Sequence, residues 1–318
     1  MSQRGTGSSV LVPLDGSVLA EAALELAAGL AHRTHAVLHL VTVQVAAPGH
    51  EATEEPDHPP AALAIRHDLR EYLEARAEAL AITHGVRCTC AVLHGSPPEA
   101  LAAYVREHRV ALVVMTAHGR SGTNRRWIGS VADRLLRRTT APVLLLRPDS
   151  LPMAQRFYRV LVALDGSAAC GDVLAQAVAL GSLVPDTEYT LVEVVEPPLP
   201  LLHPGPNPVG ARARREEAAV ADLDRRVARL HESGVMVTSK VVVAERVGER
   251  LIELAETLDC DLIAVGTQRP RTQARPMLGS VADKIVRGAT QPVLVVPLRK
   301  RSPRRIRRSG EHAAAATG

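Results

Sequence analysis

The feature that most limits what this chain can fold into is that it repeats itself at one fixed distance. The stretch "VLVPLDGS" at residues 10–17 returns as "VLVALDGS" at 160–167, "GSVAD" at 129–133 returns at 279–283, and "APVLLL" at 141–146 returns as "QPVLVV" at 291–296. Each match is displaced by 150 residues. An unchanged offset across three anchors means that one domain-sized unit has been duplicated in tandem, and it excludes solenoid repeats, whose periods run to about 20–50 residues. A chain of 318 residues accommodates two such units. The expected divisions are residues 1–152, residues 153–298 and a tail of 299–318.

Within each copy, continuous apolar runs of about five residues alternate with longer stretches of helical period, the pattern of βαβ units around a buried parallel sheet. In the first copy the runs place strands near 10–14, 36–43, 86–93, 111–116 and 142–146, with helices between them. After Ser17, the residues Ala20, Ala23, Leu24, Ala27, Leu30 and Ala31 fall on one stripe while Glu21 and Glu25 fall off it, which predicts a single amphipathic helix. The second copy follows the same order. The predicted fold class is α/β: two tandem Rossmann-like domains, each a five-stranded parallel sheet flanked by about four helices. With 46% hydrophobic but only 2% aromatic residues, the cores must be built from Ala, Val and Leu.

Two proline-dense stretches, residues 46–60 and 196–210, follow the second strand of each copy and predict loops, because such density stops helix and sheet alike. The linker, near 148–155, is short, which favours packed domains. The apolar segments "PVLLL" and "PVLVV" each need a partner, so an intramolecular pseudo-twofold pair is expected, with a homodimer of whole chains as a further step. The net charge of +4 belongs to the tail: residues 299–308 carry seven basic side chains, leaving −3 elsewhere. That tail has almost no apolar residues and is expected to be disordered; the protein is not expected to bind nucleic acid, the basic tail being the one segment with the charge for it. No run approaches the roughly 18 apolar residues of a membrane span, and the first residues lack an apolar signal segment, so a cytoplasmic protein that avoids membranes is expected. Cys88, Cys90, Cys170 and Cys260 form no CxxC pair and read as reduced packing residues. His35 and His39 share a strand face but stand about 13 Å apart, too far for one zinc.

In an open parallel sheet, ligands bind beyond the carboxyl ends of the strands where the strand order reverses. Asp15 and Asp165 stand at such an end in "LDGS". Each could accept hydrogen bonds from ribose hydroxyls or an adenine amino group; equally, each could open an Asp-Gly turn with Ser17 or Ser167 capping the next helix. A second motif leaves the fourth strand. Thr116, His118, Gly119, Arg120 and Gly122 lead into a loop with Arg125 and Arg126 that ends at Gly129 and Ser130, where a helix starts. Ser130 with Asp133 forms an S-x-x-D pair, which predicts Ser130 as the helix cap. Exposed amides, freedom at positive φ and the positive helix end together suit phosphates. His118 is either within reach of such a phosphate or simply solvated. There is no Gly-Lys dipeptide and hence no P-loop, the first turn is "DGS" rather than G-x-G-x-x-G, and "HPGP" at 203–206 does not supply an HxGH motif.

These residues resemble the universal stress protein family in its tandem form, whose nucleotide-binding members carry G-x2-G-x9-G-[ST] together with an Asp at the end of the first strand. The likeness covers residues 8–298. It implies a strand order of 3-2-1-4-5 and a ligand that is ATP or a related adenine nucleotide, with Mg2+ accompanying the phosphates. It further implies a regulatory, stress-response binding role rather than catalysis, with a slow ATPase and a nucleotide-free interaction module as alternatives. By the same likeness Asp15 would contact the adenosine, Gly119, Gly129 and Ser130 would hold the phosphates, and Val41 would line the adenine pocket through its backbone. Pro13, Thr116 and Val131 complete the candidate set.

Both copies depart from the family pattern. Copy one reads T-x2-G-x9-G-S, with Thr116 at the first glycine; copy two reads G-x2-R-x9-G-S, with Arg269 at the second. A β-branched residue suits a strand end, whereas an arginine fills space where the loop must approach phosphate. Copy one is therefore expected to hold the better site. Asp165, Gly266, Arg269, Gly279, Ser280 and Val281 would form a degenerate one.

Overall fold

The computed structural model describes residues 8–45, 60–117, 128–147, 157–197, 208–268 and 278–298. Copy one runs β1 (Ser9–Pro13), α1 (Val18–Glu21), α2 (Leu24–Thr34), β2 (Val37–Gln44), α3 (Pro60–His84), β3 (Arg87–His94), α4 (Pro97–Glu107), β4 (Leu112–Thr116), α5 (Ser130–Arg138) and β5 (Val143–Leu146). Copy two runs β6 (Arg159–Leu164), α6 (Cys170–Gly181), β7 (Glu188–Val195), α7 (Pro208–Glu232), β8 (Met236–Val243), α8 (Val247–Thr257), β9 (Leu262–Gln268), α9 (Ser280–Gly288) and β10 (Val293–Leu298).

The strands form a single ten-stranded sheet in the order β3-β2-β1-β4-β5-β10-β9-β6-β7-β8. Each half has the order 3-2-1-4-5, and its internal pairings are parallel. The halves meet at an antiparallel pairing that sets Val143, Leu144 and Leu145 opposite Val295, Leu294 and Val293. Side chains alternate between two helical layers. Leu144, Leu146, Leu294 and Val296 join one core with Leu30, Leu73, Val173 and Leu223; Val143, Leu145, Val293 and Val295 join the other with Leu101, Leu135, Leu251 and Ile285. Burial on both faces is why the strands read as unbroken apolar runs. Each core is continuous across both copies.

Two sequence expectations need correction. The stripe from Ala20 to Ala31 is buried as predicted, but its helix is broken. The Ala23 amide donates to the Ala20 carbonyl at 3.2 Å, one residue short of a helical bond, while Tyr72 and Arg76 of α3 hold the Glu21 carboxylate at 2.8 and 3.1 Å. The proline-dense stretches also end earlier than predicted, because Pro60 and Pro208 begin α3 and α7. In the first helical turn a missing N–H costs nothing. The rest of those stretches, residues 46–59 and 198–207, lies outside the described residues, as do the linker near 148–155 and the tail 299–318.

The constant offset slips by one at the second strand. Pro13 stands opposite Val41 in copy one, whereas its counterpart Ala163 stands opposite Val192 in copy two. The next residues, Thr42 and Glu193, are therefore equivalent at an offset of 151 rather than 150. All four cysteines are free thiols; Cys170 and Cys260 are buried, and burial pushes both up to about 11. No described helix is long and apolar enough to cross a membrane.

Candidate functional site

Because β1 has β2 on one side and β4 on the other, the connections leave the sheet in opposite directions there, and a crevice opens at the strand ends. In copy one it is a cleft of about 580 Å³. Asp15 stands on its β1 side, and its Oδ1 accepts from the Ser17 amide at 3.0 Å and the Ser17 hydroxyl at 2.6 Å. Ser17 in turn caps α1 by accepting from the Ala20 amide at 3.1 Å. The turn reading and the ligand reading of this motif thus coexist: the turn fixes Asp15, and Asp15 still faces the cleft. The Leu14 amide donates to Val41 O at 2.8 Å, which holds the ends of β1 and β2 together beside Pro13.

The opposite wall is where the loop after β4 returns. Gly129 donates its amide to Ala117 O at 2.7 Å, which sets the start of α5 beside the end of β4, next to Thr116. His118, Gly119, Arg120 and Gly122 lie outside the described residues. Here the predicted cap is wrong. Gly129, not Ser130, is the N-cap, no side chain caps it, and Ser130 is already the first helical residue. Asp133 is held instead by Arg137 at 2.8 Å. Among the described residues no side chain caps the first amides of α5, and Gly129, Ser130 and Val131 line the cleft. The structure therefore gathers Pro13, Asp15, Val41, Thr116, Gly129, Ser130 and Val131 around one space.

Sequence reasoning missed the third wall. Val43 and Gln44 from β2 and Ile65 and Leu69 from α3 also line the cleft. The available signal was Ile65 and Leu69 at helical spacing i, i+4. Asp15 is the one charged side chain among the described lining residues.

Copy two builds a larger cleft, about 850 Å³, from the equivalent elements. Asp165, Gly266, Gly279, Ser280 and Val281 line it, and Arg269 lies outside the described residues. Asp165 Oδ1 accepts from the Ser167 amide at 3.0 Å and the Cys170 thiol at 2.7 Å, the thiol standing in for the Ser17 hydroxyl of copy one. Packing crowds Gly266: a Cβ there would lie 2.9 Å from both Leu298 Cδ1 and Val173 Cγ2. Gly279 has φ of +86°, where a side chain would be strained, whereas Gly129 has φ of −61°. The charges differ most. Cleft two adds Glu193, Glu196 and Asp222 to its aspartate, against Arg215 and Arg225. Burial, followed by Asp222 and Asp165, pushes the Glu193 carboxyl above its usual range.

The sequence pattern of the universal stress protein family matches residues 8–147 and 156–297, one match to each half of the sheet. The chain belongs to the universal stress protein family. Its relatives include universal stress proteins of Mycobacterium tuberculosis and Mycobacterium bovis, each 28% identical over 313 residues, covering 93% of this chain and 96% of the relative. The crystal structure of a universal stress protein from Archaeoglobus fulgidus matches with a TM-score of 0.69 at 16% identity, covering 92% of this chain and 98% of that one. One copy also resembles a universal stress protein solved in complex with cAMP, 26% identical, covering 44% of this chain and 96% of that one, with a TM-score of 0.33. This universal stress protein is thus a tandem member in which two family units share one sheet.

Proposed function

We propose that the cleft of copy one binds ATP or a related adenine nucleotide, and that the protein is a regulatory, stress-response binding protein rather than an enzyme. One observation carries this: an apolar cleft bounded on one side by a fixed carboxylate, Asp15, and on the other by the uncapped N-terminus of α5. The apolar walls suit a base, a carboxylate suits ribose hydroxyls, and helix amides with a positive dipole suit phosphates. The residues present fit such a ligand. Mg2+ would enter on its phosphates. Catalysis is the weaker reading, because Asp15 already accepts two hydrogen bonds from Ser17, an arrangement that positions a group rather than one that draws a proton from water.

Denaturing the purified protein and identifying the nucleotide released tests the ligand. Isothermal titration with MgATP then tests the place: Asp15→Ala should weaken binding by roughly tenfold or more, and Asp165→Ala should leave it unchanged. The opposite dependence would move the site to copy two. Multiple turnover in excess ATP would favour an enzyme, and a protein that neither retains nor binds nucleotide would be an interaction module.

A further inference from the structure

The two clefts differ most at one register position. Thr42 follows Val41 on β2, and Glu193 follows Val192 on β7. Both line their clefts, and Thr42 is buried, small and uncharged. Glu193 Oε1 reaches within 2.9 Å of the point where a Cβ on Gly166 would stand, so its carboxylate lies directly on the turn that presents Asp165. Its Oε2 is buried and accepts no hydrogen bond from the described residues.

Nearby arginines do not cancel this charge by contact. Arg225 and Arg226 donate to Asp222 at 3.1 and 2.6 Å, so these two cations of α7 are engaged with a different carboxylate, and Arg215, which also lines the cleft, does not bond the Glu193 Oε2. Size is not the obstacle either, since cleft two is the larger. What differs is a carboxylate head group beside Asp165, where copy one has a threonine.

We infer that Glu193 is the specificity-determining residue that closes copy two to nucleotide polyphosphates, through its charge and the space it fills beside Asp165. The inference rests on reading copy one as the nucleotide site. It assigns Arg269 the lesser part: an arginine attracts phosphate even where it crowds it, whereas a carboxylate in the cleft repels every phosphate that enters. The ligands that cleft two still admits are those without such charge.

The test is isothermal titration with MgATP on the full chain, counting sites in the wild type, Arg269→Gly and Glu193→Thr, the residue of copy one. Arg269→Gly alone should leave the count unchanged. Glu193→Thr should add one site, at least tenfold tighter than any second binding by the wild type. A second site gained from Arg269→Gly alone, or none gained from Glu193→Thr at an unchanged melting temperature, overturns the inference. Should Glu193→Thr fail to fold, Glu193→Ala removes both the charge and the bulk and is read by the same count. A wild type that binds no nucleotide defeats the reading of copy one, yet the number of sites added by Glu193→Thr still decides this inference.

Discussion

Arg287 Nη2 of α9 lies 3.0 Å from Asp133 Oδ1 of α5, 154 positions earlier in the chain. Asp133 also takes Arg137 of its own helix at 2.8 Å, and Arg137 reaches across to Asp283 at 3.6 Å. The four side chains form a clasp over the β5–β10 seam, but they are 21–38% exposed. Pairs with that much water access contribute about 0.2–1 kcal/mol each. Asp133→Asn removes two such pairs and should therefore lower the unfolding free energy by about 2 kcal/mol or less, and the difference should shrink in high salt. Urea denaturation at low and high ionic strength checks this; a loss of several kcal/mol, insensitive to salt, would show that the clasp dominates the seam.

The apolar seam beneath it should matter far more. Leu145 is 2% exposed and pairs with Val293. Leu145→Asp places an unpaired carboxylate in a core shared by both copies, at a cost of about 4 kcal/mol or more. Loss of a compact, monodisperse chain in size-exclusion chromatography is expected. A variant that stays compact and melts like the wild type would mean that the two halves do not depend on one another.

His39 supplies a pH dependence. It is 9% exposed, its Nδ1 lies 2.9 Å from the Tyr104 hydroxyl, and His108 stacks on the Tyr104 ring. Burial first, and His108 second, hold its pKa below the usual 6.5. A base with a depressed folded pKa binds fewer protons folded than unfolded, so stability is full above 6.5, falls as the pH drops below it, and levels off only below the folded value. Between pH 7.5 and pH 5 the wild type should lose more melting temperature than His39→Gln. Parallel curves for the two proteins would assign the pH dependence to other groups.

Most of the fold was legible because burial on both faces of a parallel sheet writes each strand as an apolar run, and duplication writes every element twice. The exceptions are local. Ser130 reads as a cap because S-x-x-D is a capping pattern, but the chain enters the helix one residue earlier, at Gly129. The break at Ala23 comes just after Glu21, which α3 holds through Tyr72, a contact 51 residues away that no local pattern announces. Glu193 escaped notice because "YTLVEVV" reads as an ordinary strand, and a uniform offset of 150 sets it against Val43. Only the strand register shows that its counterpart is Thr42.

The same comparison explains why the first glycine of the motif is kept in copy two and lost in copy one. Gly266 and Thr116 are equivalent, Thr116 at the end of β4 and Gly266 two residues before the end of β9, each on the face toward the first helix. Around Gly266 that helix presents Val173, whose Cγ2, with Leu298 Cδ1, leaves no room for a Cβ. At the position of Val173 copy one has Ala23, two methyl groups smaller, and Thr116 is accommodated and 5% exposed. Gly266→Thr should therefore overpack copy two and lower its stability by about 1–3 kcal/mol, the usual cost of inserting atoms into a filled core. Val173→Ala alone should also destabilise, by opening a cavity. Together the two changes should recover part of the loss, giving a favourable coupling of about 1 kcal/mol or more in a double-mutant cycle measured by urea denaturation. The mirror pair is the control: Ala23→Val should be tolerated better in Thr116→Gly than in the wild type. Strictly additive losses in both cycles would show that the glycine of copy two answers to the loop it leads into and not to the helix beneath it.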